Sequence, residues 1–484
     1  MMKSSFLVES KKKNIYLVNI DKKSILLIHP LIYSFLQKSN LASYDSNDVD
    51  YYNRKLRYLK KHKLISETLN ITLKPLAITA EKVEECIANT NQIVFETTER
   101  CNLKCKYCFY EELYDTREIK AQNHLTSNKM RKLIDYFVDK QSSYNASLES
   151  SIYISFYGGE PLLNSVLISD TIDYYQKNET QLRKPKYTIT TNGTLLNKHI
   201  ELLIQNNFRI TVSLDGNKVN NSYRVFHNDR NSFDSIMYNL QDVRDKYPDY
   251  FKDNIVFNTV LHNKNSIEEV YEFFKTQFDT LPNILELNNS GIKDNKLDEF
   301  SNMSLSKSES LKKTELAPKI TSENPMDNPI FHSSALFLHQ YSWFVYKTYR
   351  HQLLGEKHEY LLSTGTCLPF SKKIFITADG KILPCEKISH EHMLGYIADD
   401  EIKIDCQSIA DKYNKAISTL SSQCKSCYKL FACEQCLFYI NSEKPTCLAY
   451  TNEFRFSDYL KENISFIEEN PNSYQIIMKE ILFN

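Results

Sequence analysis

Apolar and polar positions alternate in short runs at the start of the chain. Residues 6–9, 15–20 and 24–28 read as strands joined by polar turns containing lysines. A short helix is expected over 31–37. A second is expected from about 48 to 64, where Tyr51, Leu56, Leu59 and Leu64 recur at roughly helical spacing. Three strands backed by helices make a winged-helix-like unit, so residues 1–90 read as a separate module.

From residue 92 the rhythm changes. Apolar runs at 92–97, 153–157, 187–191, 210–214, 255–261 and 284–287 predict strands, with helical stretches between them. The clearest helix sets Met130, Leu133, Ile134, Phe137 and Val138 on one face, with Thr126 or Ser127 as its cap. Such βα units predict an α/β fold, a partial (β/α)6 barrel over 91–300 on a mostly parallel sheet. Residues 301–328 are rich in Ser, Lys, Glu and Asn and read as a mobile insertion. An amphipathic helix is expected from about 330 to 354, making 301–355 an insertion and bridge. A cysteine-rich region and a polar helical tail fill 356–484.

At 484 residues the chain exceeds one core and implies two or three domains. Sixty basic and sixty acidic residues cancel, which argues against a nucleic-acid partner. The first residues lack the layout of a signal peptide, and no apolar run is long enough to span a bilayer. A cytoplasmic protein without a membrane partner is therefore expected. In a reducing compartment, twelve cysteines point to metal rather than disulfides.

Three of those cysteines, Cys101, Cys105 and Cys108, have the spacing CxxxCxxC directly after a predicted strand. Three thiolates on one tight loop suit three irons of a four-iron cluster, leaving the fourth iron open. The spacing alone leaves a zinc site or unconnected thiols as alternatives, although structural zinc prefers four ligands in two paired units. The neighbouring strand ends add to the picture. The second predicted strand ends in Gly158-Gly159-Glu160-Pro161, the third in Thr190-Thr191-Asn192-Gly193, and the fourth carries Ser213-Leu214-Asp215-Gly216. Adjacent glycines let a backbone approach a ligand closely. Glu160 suits an ammonium group, Asn192, Ser213 and Asp215 suit a ribose, and Arg224 suits a carboxylate.

This constellation resembles the radical S-adenosylmethionine (SAM) superfamily over roughly residues 90–300. The resemblance implies that Cys101, Cys105 and Cys108 bind a catalytic 4Fe–4S cluster and that Gly158, Gly159 and Glu160 contact SAM. It puts Ser213 at the ribose and Arg224 at the SAM carboxylate.

The later cysteines are Cys367, Cys385, the run Cys424-x2-Cys427-x5-Cys433-x2-Cys436, and Cys447. Seven thiolates nearly fill two tetrahedral sites, and the spacing alone suits zinc or iron–sulfur clusters. The stretch resembles the SPASM extension of radical SAM enzymes that modify peptides and proteins. That resemblance implies two auxiliary 4Fe–4S clusters, three clusters in all. Cys367, Cys385 and Cys436 would serve the nearer one, and Cys424, Cys427, Cys433 and Cys447 the farther. The Cys433–Cys436 spacing is one residue shorter than the family more often has. No cysteine just before Cys367 supplies a fourth ligand, so the nearer cluster is expected to have an open iron or a borrowed ligand, with Cys406 the spare thiol. Cys86 is given no metal role. Glu386 follows Cys385, and in the related sulfatase-maturing enzymes an aspartate there acts as a base.

The N-terminal module resembles the small PqqD-like recognition element of enzymes acting on ribosomally made peptides. There a leader peptide adds as a strand to the sheet edge, which also concentrates the core peptide near the active site. Together these resemblances imply an oxidoreductase that uses a 5′-deoxyadenosyl radical to modify a precursor peptide, forming a thioether or carbon–carbon cross-link. An electron donor such as flavodoxin or ferredoxin is the further expected partner. The alternatives are a sulfatase-type maturase converting Ser or Cys to formylglycine, and a non-catalytic zinc-bearing binding protein.

Overall fold

The computed structural model describes residues 2–39, 41–66, 77–114, 122–144, 150–178, 182–289, 291–341, 364–398, 401–440 and 445–480. They form two compact units. One gathers Met1–Ala77, Pro325–Thr366 and Lys415–Asn484, and the other Ile78–Asn324 and Cys367–Asn414.

In the first unit, β1 (Ser5–Glu9), β2 (Ile15–Asn19) and β3 (Ser24–Leu27) form an antiparallel meander. Two helices follow, α1 (Pro30–Gln37), capped by the His29 side chain, and α2 (Ser46–Lys61), capped by Asp45. Leu17 and Ile28 pack with Ile32 of α1 and Leu56 of α2. The opposite-facing positions Phe6, Val8, Val18 and Ile20 are buried too. They join Phe331 and Phe337 of the helix Pro329–Tyr341 and Phe456 and Leu460 of the helix Glu453–Glu469. The Phe6 ring meets Tyr428 and Phe456 edge-on, with centroids 5.4 and 5.3 Å away. A sheet apolar on both faces needs two covers. Distant chain segments supply the second, so the serial division at residues 90, 300 and 355 differs from this spatial one.

The second unit opens with α3 (Ala80–Ala88) and is built on one sheet. Its strands β4 (Gln92–Thr98), β5 (Ile152–Gly158), β6 (Pro185–Thr191), β7 (Arg209–Ser213), β8 (Ile255–Leu261) and β9 (Asn283–Glu286) run parallel in that order. Between them lie α4 (Ser127–Tyr144), α5 (Ser165–Lys177), α6 (Leu196–Gln205), α7 (Phe233–Lys246), the short α8 (Pro248–Asn254) and α9 (Ile267–Phe278). Phe95, Ile154, Phe156, Ile189, Ile210, Val212 and Phe257 are essentially excluded from water, as a helix-covered parallel sheet requires. Thr126 caps α4 by accepting from the Lys129 N–H at 3.4 Å.

Four strands that the sequence pattern does not announce extend this sheet beyond β4. β10 (Ile374–Ile376) pairs in parallel with β4. β11 (Lys381–Leu383), β12 (Gly395–Ile397) and β13 (Ile402–Lys403) then follow antiparallel. The expected mobile insertion is instead a series of short helices, Leu297–Met303, Lys307–Leu311 and Ala317–Glu323. A Ser306–Glu309 capping box and the buried anchors Met303 and Ile320 hold it. The bridging helix is described as Pro329–Tyr341, and the remainder of its expected span lies outside the described residues. Among the described residues no helix is long and apolar enough to cross a membrane.

Candidate active site

The loop after β4 carries Cys101, Cys105 and Cys108. The sequence folds it back by turns, with the Cys108 N–H donating to the Cys105 carbonyl at 3.0 Å and the Glu111 N–H to that of Cys108 at 2.9 Å. Backbone bonds from Lys104 to Val225 at 2.8 Å and from Lys106 to Tyr223 at 3.1 Å fasten it to the segment after β7. The three cysteines sit among Leu103, Leu113, Leu287 and Met303.

Burial is the main influence on these thiols. It pushes Cys101 up to about 12 and raises Cys105 as well, with Arg224 opposing at Cys105. Donors nevertheless point at the sulfurs. The Leu103 N–H lies 3.4 Å from the Cys101 sulfur, the Asn192 amide 3.7 Å from it, and the Tyr110 N–H 3.5 Å from that of Cys108. Three thiols on one loop in an apolar recess, with N–H groups aimed at sulfur, fit a cluster bound through three thiolates. Among the described residues, no group of three His, Cys, Asp or Glu is placed to hold a single metal ion.

The Gly158-Gly159-Glu160 segment runs alongside this loop. The Gly159 and Glu160 N–H groups donate to the carbonyls of Thr98 and Arg100, each at 2.8 Å. A Cβ on Gly158 would lie 2.4 Å from the Thr98 oxygen, and one on Gly159 would lie 2.1 Å from the Arg100 oxygen. Gly158 also has φ +128°. Only glycine fits this approach.

The Glu160 carboxylate is buried and accepts from Leu162 N–H at 3.1 Å, the Thr191 hydroxyl at 2.8 Å and Asn192 N–H at 2.7 Å. Burial raises its pKa to about 7 against the pull of those bonds. It therefore ties the ends of β5 and β6 together. Asn192 in turn donates to Asn102 at 2.8 Å and accepts from the Thr194 hydroxyl at 2.6 Å, so its side chain lies against the cysteine loop.

Ser213 ends β7 and is half-buried. Asp215 and Arg224 are buried and paired, with Arg224 Nε 3.0 Å from Oδ2 and Nη2 3.1 Å from Oδ1. Tyr107 donates its hydroxyl to Asp215, Val260 N–H donates at 3.0 Å, and His262 Nε2 lies 3.5 Å away. Burial works against the Asp215 charge, but Arg224 and His262 outweigh it and hold the carboxyl at about 2. Tyr107, Glu96, Asn102 and His262 were not singled out by sequence reasoning. Asn102 and Tyr107 alone carried a signal, their place inside the cysteine motif.

In the unit containing the C-terminal helices, Cys424, Cys427, Cys433 and Cys447 line one cavity of about 100 Å³. Gln423 braces it, accepting from Cys447 N–H at 3.0 Å and donating to the Pro445 carbonyl at 2.7 Å. The Thr451 N–H points at the Cys427 sulfur at 3.4 Å. Four thiols around one cavity fit an iron–sulfur cluster. Cys436 lies in the same unit, whereas Cys367 and Cys385 lie in the sheet unit. Glu386 is ion-paired with Lys373 at 3.1 Å. Cys86 and Cys406 are buried.

Residues 95–276 match the Radical SAM superfamily. The match supports a radical SAM domain over that stretch, with SAM and a 4Fe–4S cluster as its cofactors. Among curated relatives, a cysteine-type anaerobic sulfatase-maturating enzyme of Clostridium novyi (strain NT) is 30% identical over 190 residues, covering 39% of this chain and 48% of the relative. The radical SAM cyclopropyl synthase TigE of Paramaledivibacter caminithermalis is 30% identical over 219 residues, covering 42% and 43%. The chain thus spans about half the length of the curated relatives it matches. The solved structure of native anSMEcpe with bound AdoMet and Kp18Cys peptide shares the fold, with TM-score 0.54, 18% identity and coverage of 80% of this chain and 98% of that one.

Proposed function

We propose that this chain is an anaerobic radical SAM maturase that modifies a ribosomally made precursor peptide. The observation that carries this reading is the docking of the cysteine loop against Gly158-Gly159-Glu160, where two backbone bonds of 2.8 Å bring a three-thiol recess and a glycine-opened strand end together. With cluster and SAM bound there, the site would supply a 5′-deoxyadenosyl radical that takes hydrogen from a peptide residue.

The chain's own residues would prepare that site. The donors from Leu103, Asn192 and Tyr110 favour ionised sulfur on Cys101 and Cys108. Gly158, Gly159, Ser213 and Asn192 are the residues we assign to SAM by their place at the strand ends. Glu160, Asp215 and Arg224 are assigned there too, and their mutual and backbone bonds would keep that rim rigid. Cys424, Cys427, Cys433 and Cys447 would hold an auxiliary cluster at the cavity they line. Cys367 and Cys385, both in the sheet unit, are candidates for a second, and auxiliary clusters would supply a place for the surplus electron or a substrate thiolate. Glu386 is the candidate base for a substrate proton.

The three-stranded sheet at the N-terminus is read as the site that takes a leader peptide as an added strand. The product would be a thioether or carbon–carbon cross-link. A second reading, oxidation of Ser or Cys to formylglycine in a sulfatase, is favoured by the names of several relatives.

Anaerobic reconstitution tests the core of the proposal. About twelve irons and matching sulfide per chain are expected for three clusters. 5′-Deoxyadenosine should form on reduction and be lost when Cys101, Cys105 and Cys108 become Ala; zinc without sulfide ends the reading. Mass spectrometry of a co-expressed short open frame, beside a sulfatase-derived peptide, separates the two substrates.

A further inference from the structure

Glu96 is a carboxylate inside β4, between Phe95 and Thr97. It is 0% exposed. A buried carboxylate needs strong partners, and its two oxygens find them on two different elements. Oε1 accepts from the Tyr110 hydroxyl at 2.6 Å, and Oε2 accepts from the Ala378 N–H at 2.9 Å.

Those partners are informative. Tyr110 lies just beyond Cys108, and its own N–H points at the Cys108 sulfur at 3.5 Å. Ala378 lies in the turn between β10 and β11, the strand that runs out towards Cys385. Lys129 holds the same turn, donating to the Asp379 carbonyl at 2.8 Å. Glu96 also packs against the glycine segment, since a Cβ on Gly158 would lie 3.3 Å from its Cγ.

We propose that Glu96 is a positioning residue that fixes the Cys108 end of the radical SAM loop against the hairpin leading to Cys385, so that the two cysteine-bearing elements keep one spacing. A leucine would fill the same volume without burying a charge, but it would reach neither arm. The proposal rests on reading both elements as cluster-bearing, whereas the hydrogen-bonded link stands independently of that reading.

The test uses the full chain, purified anaerobically with its clusters rebuilt. In Glu96→Leu, iron content should hold while two electron paramagnetic resonance signals change shape: the one abolished when Cys101, Cys105 and Cys108 are replaced, and the one abolished by Cys385→Ala. Tyr110→Phe removes one arm and should alter the first signal alone. Amide hydrogen exchange supplies a readout that needs no iron. Protection at Ala378 and across 108–114 should fall together by about tenfold in Glu96→Leu, and across 108–114 alone in Tyr110→Phe. Either signal unchanged in Glu96→Leu, or unchanged protection at either place, overturns the proposal. A parent protein without clusters defeats the functional reading, while exchange still decides the link. If Glu96→Leu does not fold, Tyr110→Phe still removes one arm alone, and unchanged protection across 108–114 in that variant overturns the idea.

Discussion

Arg224 and Asp215 meet behind the cysteine loop as a two-point ion pair, at 3.0 and 3.1 Å, with side-chain exposures of 8% and 0%. Removing one member of such a pair strands a charge away from water, whereas replacing both with apolar groups does not. Arg224→Ala should therefore cost about 3–5 kcal/mol of stability. Asp215→Leu combined with Arg224→Met should recover most of it. Denaturant midpoints of the purified proteins check this, and equal midpoints for Arg224→Ala and the parent would count against it.

The glycine approach predicts a steric effect at one atom. Gly159→Ala places a methyl 2.1 Å from the Arg100 carbonyl oxygen, so β5 and the cysteine loop must part. A stability loss of about 1–3 kcal/mol is expected, as for other overpacked sites. Iron content should fall by about four per chain, the complement of one cluster. A fully loaded, equally stable variant would show that the loop tolerates the displacement.

The four-cysteine cavity can be separated from the catalytic loop by metal content. Cys427→Ala should lose about four irons yet still form 5′-deoxyadenosine, because Cys101, Cys105 and Cys108 remain. Cys105→Ala should lose a similar amount of iron and all 5′-deoxyadenosine. Retention of full iron by Cys427→Ala sinks the assignment of this cavity to a cluster.

Acid should loosen the seam between the first hairpin and the helix Glu453–Glu469. Glu468 accepts from Tyr16 and Asn14, each at 2.6 Å. Burial opposes its charge, but hydrogen bonds that include these two outweigh it and hold the carboxyl below its ordinary 4.5. A depressed folded pKa means the contribution is complete above the unfolded value and disappears as pH drops through the folded one. Amide exchange at residues 11–16 should rise below pH about 4.5 in the parent, and Glu468→Gln should lack that step. Identical pH profiles in the two proteins would falsify the assignment.

The parallel strands and the cysteine loop were legible because local chemistry specifies them. Apolar-rich runs such as Ile255–Leu261 read as strands, with alternate residues buried here, and the CxxxCxxC spacing marks the loop after β4. β10 to β13 were not legible, since segments of two or three residues become strands only by pairing with β4 and with one another. The partners of the site residues escaped for the same reason. Asp215 and His262 belong to different βα units, and nothing near either residue announces the other. Residues 301–328 misled because polar composition outweighed the isolated anchors Met303 and Ile320.

The parallel pairing of Ile93 with Ile374 has a consequence for how the chain is made. The edge of β4 acquires this neighbour only after the ribosome has delivered nearly all of the second unit. Until then a growing chain presents that edge bare. The last strands made therefore close an edge that would otherwise stay open to wrong pairing.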